Sequence, residues 1–412
     1  MSNNSVMVVV APESERVRDA PVPLLFLIAD TGGGHRAAAR AVTEALETAY
    51  PDRFAPVLCD PLGGEDSRAL LRWVTGLYGP SIRLAPWTWG AIYYASDSRL
   101  VMGVLRRTIL ALANHPVRRA AATARAEAIV SFHPLVGGAA VQANLPVVTV
   151  VTDLITPHMA WRYNKADLLL VPSASVRWRC HLDGISPERC VETGLPVGSS
   201  FAGGPLRKAE RAALRRSLGL AGDRFLVVLT GGGEGSGGMA RRAAALVERL
   251  SEDAGVDVVA ICGRNARLEA KLRRRAAGTS RLVVKGFVDN MADWLRAADV
   301  VVSKAGPGTI AEATCCGAPL LVTSHVPGQE KGNTEFVVGA GAGLHVPGVD
   351  ELVAAVDELR RAPGRVEAMR IASARLGRPH AADDIARRLG ALFGIAEPES
   401  TGEPVPAVES GR

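Results

Sequence analysis

The sequence predicts an α/β fold made of two doubly wound, Rossmann-like domains that face a central cleft. Short apolar runs such as 24–29 and 225–230 alternate with helical patterns, as parallel strands covered on both faces do. Glycine-rich turns at 32–34 and 231–235 follow these two runs. A chain of 412 residues also exceeds what one hydrophobic core usually serves. In such a fold, ligands bind at the carboxyl ends of the strands.

The first domain is assigned to residues 21–196. It opens with the strand at 24–29, and the alanine-rich stretch from His35 to Tyr50 has the apolar spacing of a helix. Two further runs, at 128–131 and 147–151, predict buried strands of the same sheet. This succession of strand, tight turn and helix is typical of an α/β domain.

The second domain is assigned to residues 197–379. It follows a predicted linker at 194–198, which is rich in glycine and proline. Helical stretches such as 241–251 separate its strands. The predicted strands are 225–230, 256–262, 282–284, 300–303 and 319–322.

The composition indicates a globular protein, since 48% of the residues are apolar and 22% are charged. Both ends, 1–20 and 396–412, lack periodicity and are predicted to be disordered tails. No apolar run approaches the roughly 20 residues that a spanning helix needs, and the start lacks a signal-peptide pattern. Six cysteines without CxxC spacing are interpreted as reduced packing residues, and no metal site is expected.

Positive charge is concentrated between Asp66 and Arg119. This segment has eight arginines and two acids, together with three tyrosines and the tryptophans Trp73, Trp87 and Trp89. Such a composition is typical of a surface that meets an anionic membrane, because cations meet lipid phosphates while amphipathic rings settle at headgroup depth. We therefore expect a cytoplasmic protein attached peripherally to the inner face of the cell membrane. Nucleic acid is the rival partner for this surface and is not expected.

The segment Thr230–Gly238 has the features of a diphosphate-binding loop. A strand, a run of glycines and a helix start expose backbone N–H groups where the helix dipole favours an anion. Gly232, Gly233 and Glu234 are assigned to this loop. No Lys-Ser/Thr ending follows, so the P-loop of ATPases is not matched. A flexible turn is the alternative.

A second anion site is predicted at Ser303–Thr309. Lys304, a hydroxyl and helix N-terminal amides converge there at the start of a helix predicted near Ile310. Glu312, one turn further, is a candidate acceptor for a ribose diol. A first-turn acid also has a purely structural explanation.

The loop 327–333 follows the next predicted strand. It carries Gln329, Glu330 and Asn333, whose side chains are suited to binding sugar hydroxyls. A solvated loop is the ordinary explanation for such residues. Their order and place favour a sugar-recognition loop.

Polar residues at strand ends in the first domain are candidates for catalysis. His35 follows three glycines at a helix start, where the dipole disfavours the imidazolium and keeps a neutral base available. Asp153 ends a buried strand and is placed to orient a base or an acceptor. His133 and His158 lie at comparable strand ends. A structural histidine is the alternative for His35.

Together these motifs resemble the monogalactosyldiacylglycerol synthases, from residue 24 to about residue 345. The resemblance extends more loosely to the bacterial diglucosyldiacylglycerol synthases and to the transferase that adds N-acetylglucosamine in peptidoglycan assembly. It implies the GT-B fold, with a final helix at 380–395 that crosses back to the first domain. The matching segments are Asp30–Arg36, Thr152–Leu154 with His158 and Trp161, Gly231–Gly235, Ile261–Asn265 and Lys304–Asn333.

The resemblance also implies a reaction. His35 matches the histidine proposed as catalytic base, which takes the proton from a diacylglycerol hydroxyl as it attacks the anomeric carbon of a UDP-sugar. Inversion then gives a β-linked galactose or glucose. No tightly bound cofactor and no Asp-x-Asp metal site are expected, because amides and cations stabilise the departing UDP.

The other matched residues divide by the part of the substrates they bind. Gly286, Phe287 and Glu312 match the uridine site. Gly232, Gly233, Glu234, Ser303, Lys304, Gly306 and Thr309 match the diphosphate site, and Gln329, Glu330 and Asn333 match the sugar site. The residues expected at the acceptor or the membrane are Trp73, Trp87, Trp89, His133, His158 and Trp161.

The acceptor side departs most from the family pattern. Residues 154–161 only partly follow the plant enzymes, and the segment 66–119 preserves composition better than order. Three alternatives therefore remain: a glycosyltransferase with a soluble acceptor, a UDP-sugar epimerase and a non-catalytic sugar-nucleotide sensor. The oligomeric state is not predicted.

Overall fold

The fold consists of two parallel sheets of six strands each, with helices against both. The predicted α/β class with two doubly wound domains is confirmed. The computed structural model describes residues 20–29, 33–63, 86–108, 110–162, 165–235 and 238–396.

Strands of the first sheet come from the first half of the chain and those of the second sheet from the second half. The first sheet contains β1 (Val22–Leu27), β2 (Phe54–Cys59), β3 (Ala128–Ser131), β4 (Val147–Val150), β5 (Leu168–Val171) and β6 (Cys190–Glu192). The second contains β7 (Phe225–Thr230), β8 (Val256–Ile261), β9 (Leu282–Lys285), β10 (Val300–Ser303), β11 (Leu320–Val322) and β12 (Gly343–His345).

Helices alternate with these strands along the chain. In the first half they are α1 (Gly34–Ala49), α2 (Pro86–Ser96), α3 (Arg99–Arg107), α4 (Asn114–Thr123), α5 (Pro134–Ala140), α6 (Met159–Arg162) and α7 (Ala174–Leu182). In the second half they are α8 (Lys208–Ser217), α9 (Met239–Arg249), α10 (Ala266–Ala276), α11 (Met291–Ala297), α12 (Pro307–Cys315), α13 (Lys331–Gly339), α14 (Val349–Arg361), α15 (Pro363–Leu376) and α16 (Ala381–Leu392). No helix in the described ranges has both the length and the apolar character needed to cross a bilayer.

The continuous apolar runs form strands because each sheet has a hydrophobic core on both faces. In β1, Leu24 and Phe26 pack into one core while Leu25 and Leu27 pack into the other, and all four are fully buried. Successive side chains of a strand point to opposite faces. A strand that is apolar at every position is therefore stable only when helices cover both sides of the sheet.

Each sheet reverses its winding direction beside its first strand. The strand order is β2-β1-β3-β4-β5-β6 in the first sheet and β12-β11-β10-β7-β8-β9 in the second. The chain moves outward from β1 to β2, then returns to place β3 on the other side of β1. It does the same around β7, which lies between β8 and β10. Ligand crevices open at such switch points, next to the carboxyl ends of the two central strands.

The last helix, α16, packs in the domain of the first sheet. It lies against α1, and Ile385 and Leu389 are fully buried in the same core as Leu24 and Phe26. These two side chains are one helical turn apart, so they form a single apolar stripe. After the second sheet, the chain thus returns to the first domain at α16.

Candidate active site

His35 lies at the switch point of the first sheet. It stands in the first turn of α1, after Gly33, whose φ of 82° lies in the left-handed region that glycine adopts readily. Its Nδ1 is 3.1 Å from Oγ1 of Thr152, which follows β4. In the tautomer that donates Nδ1–H to this hydroxyl, Nε2 is the basic nitrogen.

His133, which follows β3, packs against His35. The two rings meet edge to face with centroids 4.7 Å apart. Nδ1 of His133 accepts a hydrogen bond from the backbone N–H of Leu135 at 3.3 Å and so caps α5. Burial, followed by repulsion from His35, lowers the pKa of His133 well below its usual range. His133 is therefore neutral, and its ring packs against the imidazole of His35.

Asp153 follows Thr152 and is only 5% exposed. Its Oδ2 accepts a hydrogen bond from the indole N–H of Trp161 at 2.9 Å. Its Oδ1 accepts another hydrogen bond, at 3.0 Å, from the side-chain amide of Gln329. Gln329 belongs to the domain of the second sheet. Burial raises the pKa of Asp153 to about 6, although both of these hydrogen bonds act to lower it. A carboxyl group that titrates near neutral pH thus joins the two domains.

Trp161 and His158 lie inside the first domain. Trp161 is fully buried, and its ring centroid is 6.4 Å from that of His35. His158 is half-buried and uses both nitrogens locally: Nε2 lies 3.2 Å from the carbonyl oxygen of Tyr93, and Nδ1 accepts from the N–H of Ala160 at 3.0 Å. Burial lowers the pKa of His158. Trp161 packs near His35, whereas His158 contacts Tyr93 and Ala160, and the role of both residues toward an acceptor stays a prediction.

Both predicted phosphate segments lie at the switch point of the second sheet. Gly232, with a φ of 69°, and Gly233 follow β7. Ser303 ends β10, and Gly306 is the N-cap of α12, so that the amide of Thr309 lies in the first helical turn. Because β7 and β10 are hydrogen-bonded neighbours, the two segments are side by side. Backbone N–H groups and a helix N-terminus therefore converge on one edge of the sheet.

Lys304 is held at this edge by an ion pair with Glu330. Its Nζ contacts Oε1 of Glu330, while Oε2 accepts from the backbone N–H of Val326 at 2.8 Å. Glu330 is 4% exposed and Lys304 is half-buried. The sequence assigned Glu330 to the donor sugar, and in the structure both of its carboxylate oxygens already have protein partners.

Glu312 lies one turn into α12 and is half-buried. Burial raises its pKa to about 7. Its carboxyl group has no hydrogen-bond partner among the described residues. A diol placed there would donate the hydrogen bonds that the ionised form needs.

Asn333 and Gln329 make contacts in different directions. Asn333 is 1% exposed, and its Nδ2 donates to the carbonyl of Ala305 at 2.9 Å, which ties α13 to the second phosphate segment. Gln329 extends to the other domain: besides its side-chain bond to Asp153, its carbonyl accepts from Oγ1 of Thr156 at 2.9 Å.

Tyr93 belongs to this contact between domains. The composition grouped it with aromatics at a membrane surface, but the residue is 7% exposed. Its hydroxyl donates to the carbonyl of Thr156 at 2.9 Å. A Cβ built on Gly328, whose φ is 84°, would lie 2.5 Å from Cδ1 of the Tyr93 ring. Gly328 is thus required both by its backbone conformation and by the ring packed on it.

Phe287 and Arg264 complete the edge of the second sheet. Gly286 and Phe287 follow β9, and the Phe287 side chain is 58% exposed. The Cζ of Arg264 lies 5.3 Å from the centroid of this ring. Sequence reasoning gave Arg264 no role. The available signal was its place directly after β8, within the matched segment Ile261–Asn265.

Several residues that were singled out in the sequence are not described by the structure, or only in part. Trp73 lies outside the described residues, as do Asp30, Thr31 and Gly32 of the first glycine turn. For Trp87 and Trp89 only the backbone, in α2, is described. Within the ranges that the structure covers, no group of three His, Cys, Asp or Glu side chains is placed to hold a metal ion.

This arrangement defines the chain as a GT-B protein, and solved structures with the same fold agree. A UDP-GlcNAc 2-epimerase from Neisseria meningitidis bound to UDP-GlcNAc superposes with a TM-score of 0.59 at 11% identity, covering 89% of this chain and 99% of that one. MurG from Acinetobacter baumannii superposes with a TM-score of 0.56 at 15% identity, covering 89% of this chain and 99% of that one. At these identities the likeness shows the fold alone.

Sequence comparison gives the family. Residues 35–197 match the monogalactosyldiacylglycerol (MGDG) synthase family and residues 226–385 match the glycosyltransferase family 28 C-terminal domain. A probable monogalactosyldiacylglycerol synthase 2, chloroplastic, from Oryza sativa subsp. indica is 34% identical over 334 residues, which cover 78% of this chain and 70% of the relative. Monogalactosyldiacylglycerol synthase 2, chloroplastic, from Arabidopsis thaliana is 32% identical, covering 81% and 73%. The chain belongs to the monogalactosyldiacylglycerol synthase family, and the resemblance is confirmed.

Proposed function

We propose that this chain transfers galactose from UDP-galactose to diacylglycerol and forms a β-linked galactolipid at a membrane surface. Family membership supports the choice of reaction. The structural observation that carries it is the meeting of the two switch points. A Cβ built on Gly33, which begins the helix of His35, would lie 3.7 Å from Nη1 of Arg264, at the edge that bears the phosphate segments. The start of the helix that carries His35 thus lies beside the predicted phosphate-binding edge.

The donor belongs on the second domain. Amides of Gly232 and Gly233 and the first turn of α12 are suited to the diphosphate, and Lys304 adds a cation. Glu312 is assigned to the ribose, and the backbone at Gly286 and Phe287 to the uracil. In this arrangement the negative charge that develops on UDP meets dipoles and cations that are already in place, which is the most effective form of electrostatic catalysis.

The acceptor belongs on the first domain. Its hydroxyl oxygen attacks the anomeric carbon while the bond from that carbon to the diphosphate oxygen breaks, and UDP departs with the electron pair. Nε2 of His35 takes the hydroxyl proton, and Thr152 at Nδ1 steadies the imidazolium that forms. Attack opposite the leaving group inverts the anomeric centre. Asp153 stabilises the pocket through Trp161 and the donor-side loop through Gln329.

Two neighbouring helices of the first domain support an anionic membrane as partner. On α3, Leu100 and Val104 are 86% and 61% exposed, and on α7, Trp178 and Leu182 are 63% and 61% exposed. Each pair is spaced by four residues, so each occupies one helical face. We call these four side chains the α3/α7 surface. Half of it lies outside the segment 66–119 that the composition singled out.

Charge around the α3/α7 surface fits an anionic bilayer. Arg99 at the start of α3 contacts Asp183 after α7 and so joins the two helices. The acids nearby are already paired, since Arg162 binds both Asp97 and Asp183. The exposed arginines Arg107, Arg177 and Arg179 leave the surroundings positive. Apolar side chains framed by cations bind reversibly to anionic headgroups.

Vesicle sedimentation tests the membrane partner. We expect the protein to pellet with vesicles that contain phosphatidylserine, and to lose at least about tenfold in affinity when both Leu100 and Trp178 are changed to Ser, since about 1.5–3 kcal/mol is associated with burying each such side chain. Ile371→Ser is the control, because this exposed residue lies on α15 of the other domain. Equal binding by the double variant and the control would contradict the assignment.

The activity is tested with purified protein, diacylglycerol in mixed micelles and labelled UDP-galactose or UDP-glucose. We expect a lipid-soluble β-galactoside. If a lipid-soluble product formed only from UDP-glucose, the donor would be UDP-glucose and not UDP-galactose. Conversion of UDP-galactose without acceptor would favour an epimerase, transfer to soluble acceptors alone would favour natural-product glycosylation, and tight UDP binding without turnover would favour a sensor.

A further inference from the structure

Arg264 lies in the gap between the two domains. Its backbone N–H donates to the carbonyl of Gly233 at 2.8 Å, which fixes the residue to the first phosphate segment. A Cβ built on Gly233 would stand 3.5 Å from Nη1 of Arg264, and one built on Gly33 would stand 3.7 Å from the same atom. The guanidinium therefore lies against a glycine from each domain, and glycine at both positions leaves space beside it.

The contacts of this guanidinium are loose. Nη1 is 3.7 Å from Oε1 of Glu234, and the two side chains are 54% and 60% exposed. This separation exceeds a hydrogen bond, and half-exposed ion pairs contribute little to stability. In the described part of the chain the guanidinium makes no hydrogen bond. The Cζ of Arg264 lies over the ring of Phe287, 5.3 Å from its centroid, and such a cation–π contact does not use the N–H groups as hydrogen-bond donors.

We propose that Arg264 binds the diphosphate of the donor, with Glu234 as the counter-ion that the diphosphate replaces. The planar guanidinium presents parallel N–H groups that match two phosphate oxygens, and the glycine amides of the same loop supply further donors. This inference rests on the proposed function and assigns a residue that the motifs left without a role. It also accounts for an acidic residue in a phosphate-binding loop.

The position beside Gly33 adds a consequence for the reaction. Gly33 is the N-cap of α1, whose first turn carries His35. A diphosphate held by Arg264 therefore lies where the helix of the base begins, and both domains contribute to its surroundings. Arg264 thereby connects the proposed diphosphate site to the start of the helix that carries His35.

Calorimetry with UDP, UMP and uridine tests the assignment. We expect Arg264→Ala to weaken UDP binding roughly 10- to 100-fold, the usual effect of losing hydrogen bonds to a charged group. The affinity of this variant for UMP should fall less than its affinity for UDP, and its affinity for uridine should equal that of the unaltered protein. Arg264→Lys should fall between, because it keeps the charge without the planar fork. Arg267→Ala is the matched control, since Arg267 is an exposed arginine in the first turn of the neighbouring helix α10.

The outcomes separate this inference from the proposed function. UDP affinity of Arg264→Ala equal to that of Arg267→Ala would overturn the role of Arg264 while leaving galactosyl transfer intact. Equal losses for UDP and uridine would also overturn it, because they would indicate a general disturbance of the site. An unaltered protein that binds UDP tightly but transfers no sugar would count against the function alone. One that binds no UDP would overturn both.

Discussion

The two switch points are built alike in topology and differently in chemistry. Around His35 the first domain gathers neutral rings and hydroxyls, with His133 kept uncharged by burial and Trp161 fully buried. Around Gly233 the second domain gathers backbone amides, Lys304 and Arg264. Under the proposed function, the same crevice geometry serves a proton acceptor in one sheet and an anion in the other. The difference lies in a few side chains at the strand ends, not in the fold.

The largest expected effect separates proton transfer from donor binding. Changing His35 to Ala should lower kcat by about 10²- to 10⁴-fold, because a positioned general base contributes on that scale. UDP affinity should not change, since the nucleotide is assigned to the other domain. Initial rates with labelled UDP-galactose and calorimetry with UDP measure the two quantities. His115→Ala, an exposed histidine on α4, is the control.

If UDP affinity fell in parallel with kcat for the His35 variant, the division of labour between the two switch points would be wrong.

A smaller effect is expected for Glu312, the acidic residue that is assigned to the ribose. Changing Glu312 to Ala should weaken UDP binding by about 1–3 kcal/mol, the scale of leaving hydrogen-bonding partners unpaired in a buried site. Glu335→Ala is the control on the exposed face of α13. Calorimetric UDP affinities equal for the two variants would remove Glu312 from the site.

The pH dependence of UDP binding sharpens the same assignment. Burial raises the pKa of Glu312 to about 7, and a diol donates to the ionised form. UDP affinity should therefore fall as the pH is lowered through about 7 and level off above it. Glu312→Gln should abolish this dependence. A slope that persists in the Gln variant would assign the titration to another group.

The smallest expected effect concerns the hydrogen bond from Gln329 to Asp153, which joins the two domains. Changing Gln329 to Leu removes a hydrogen bond that lowers the pKa of Asp153, so this pKa should rise above about 6. The loss of stability should be about 0.5–1.5 kcal/mol. It should be greater at pH 8, where Asp153 is ionised, than at pH 5. Thermal unfolding at both pH values and carboxyl NMR titration measure these effects, with Gln142→Leu as control.

A larger loss of stability at pH 5 than at pH 8 would show that Gln329 does not stabilise the ionised carboxylate.

Much of the fold could be predicted because buried parallel strands have a simple signature. The bounds of β3, β7 and β10 agree with the predicted runs, each apolar at nearly every position and ended by a turn. The edge strand β2 was missed, since Pro56 lies inside its run and proline argues against a strand in the middle of a sheet. Helix α12 begins at Pro307 rather than near Ile310, because proline is favoured in the first helical turn.

The candidate site was predictable where chemistry follows a strand directly. The places of the glycine loops and of His35 could be predicted because these residues follow a strand closely in the sequence. The contacts of Tyr93 and Arg264 could not, since their partners come from distant parts of the chain: Tyr93 contacts Thr156 and Gly328, and Arg264 lies near Gly33. Local pattern carries no information on such pairings.

The placement of α16 has a consequence for biosynthesis. The first half of the chain leaves the ribosome early, but the core on one face of its sheet lacks part of its side chains until Ile385 and Leu389 have been translated. Folding during synthesis ordinarily proceeds from the N-terminal domain. Here the second domain can complete its own core first, whereas the core of the first domain is complete only after α16 has been translated.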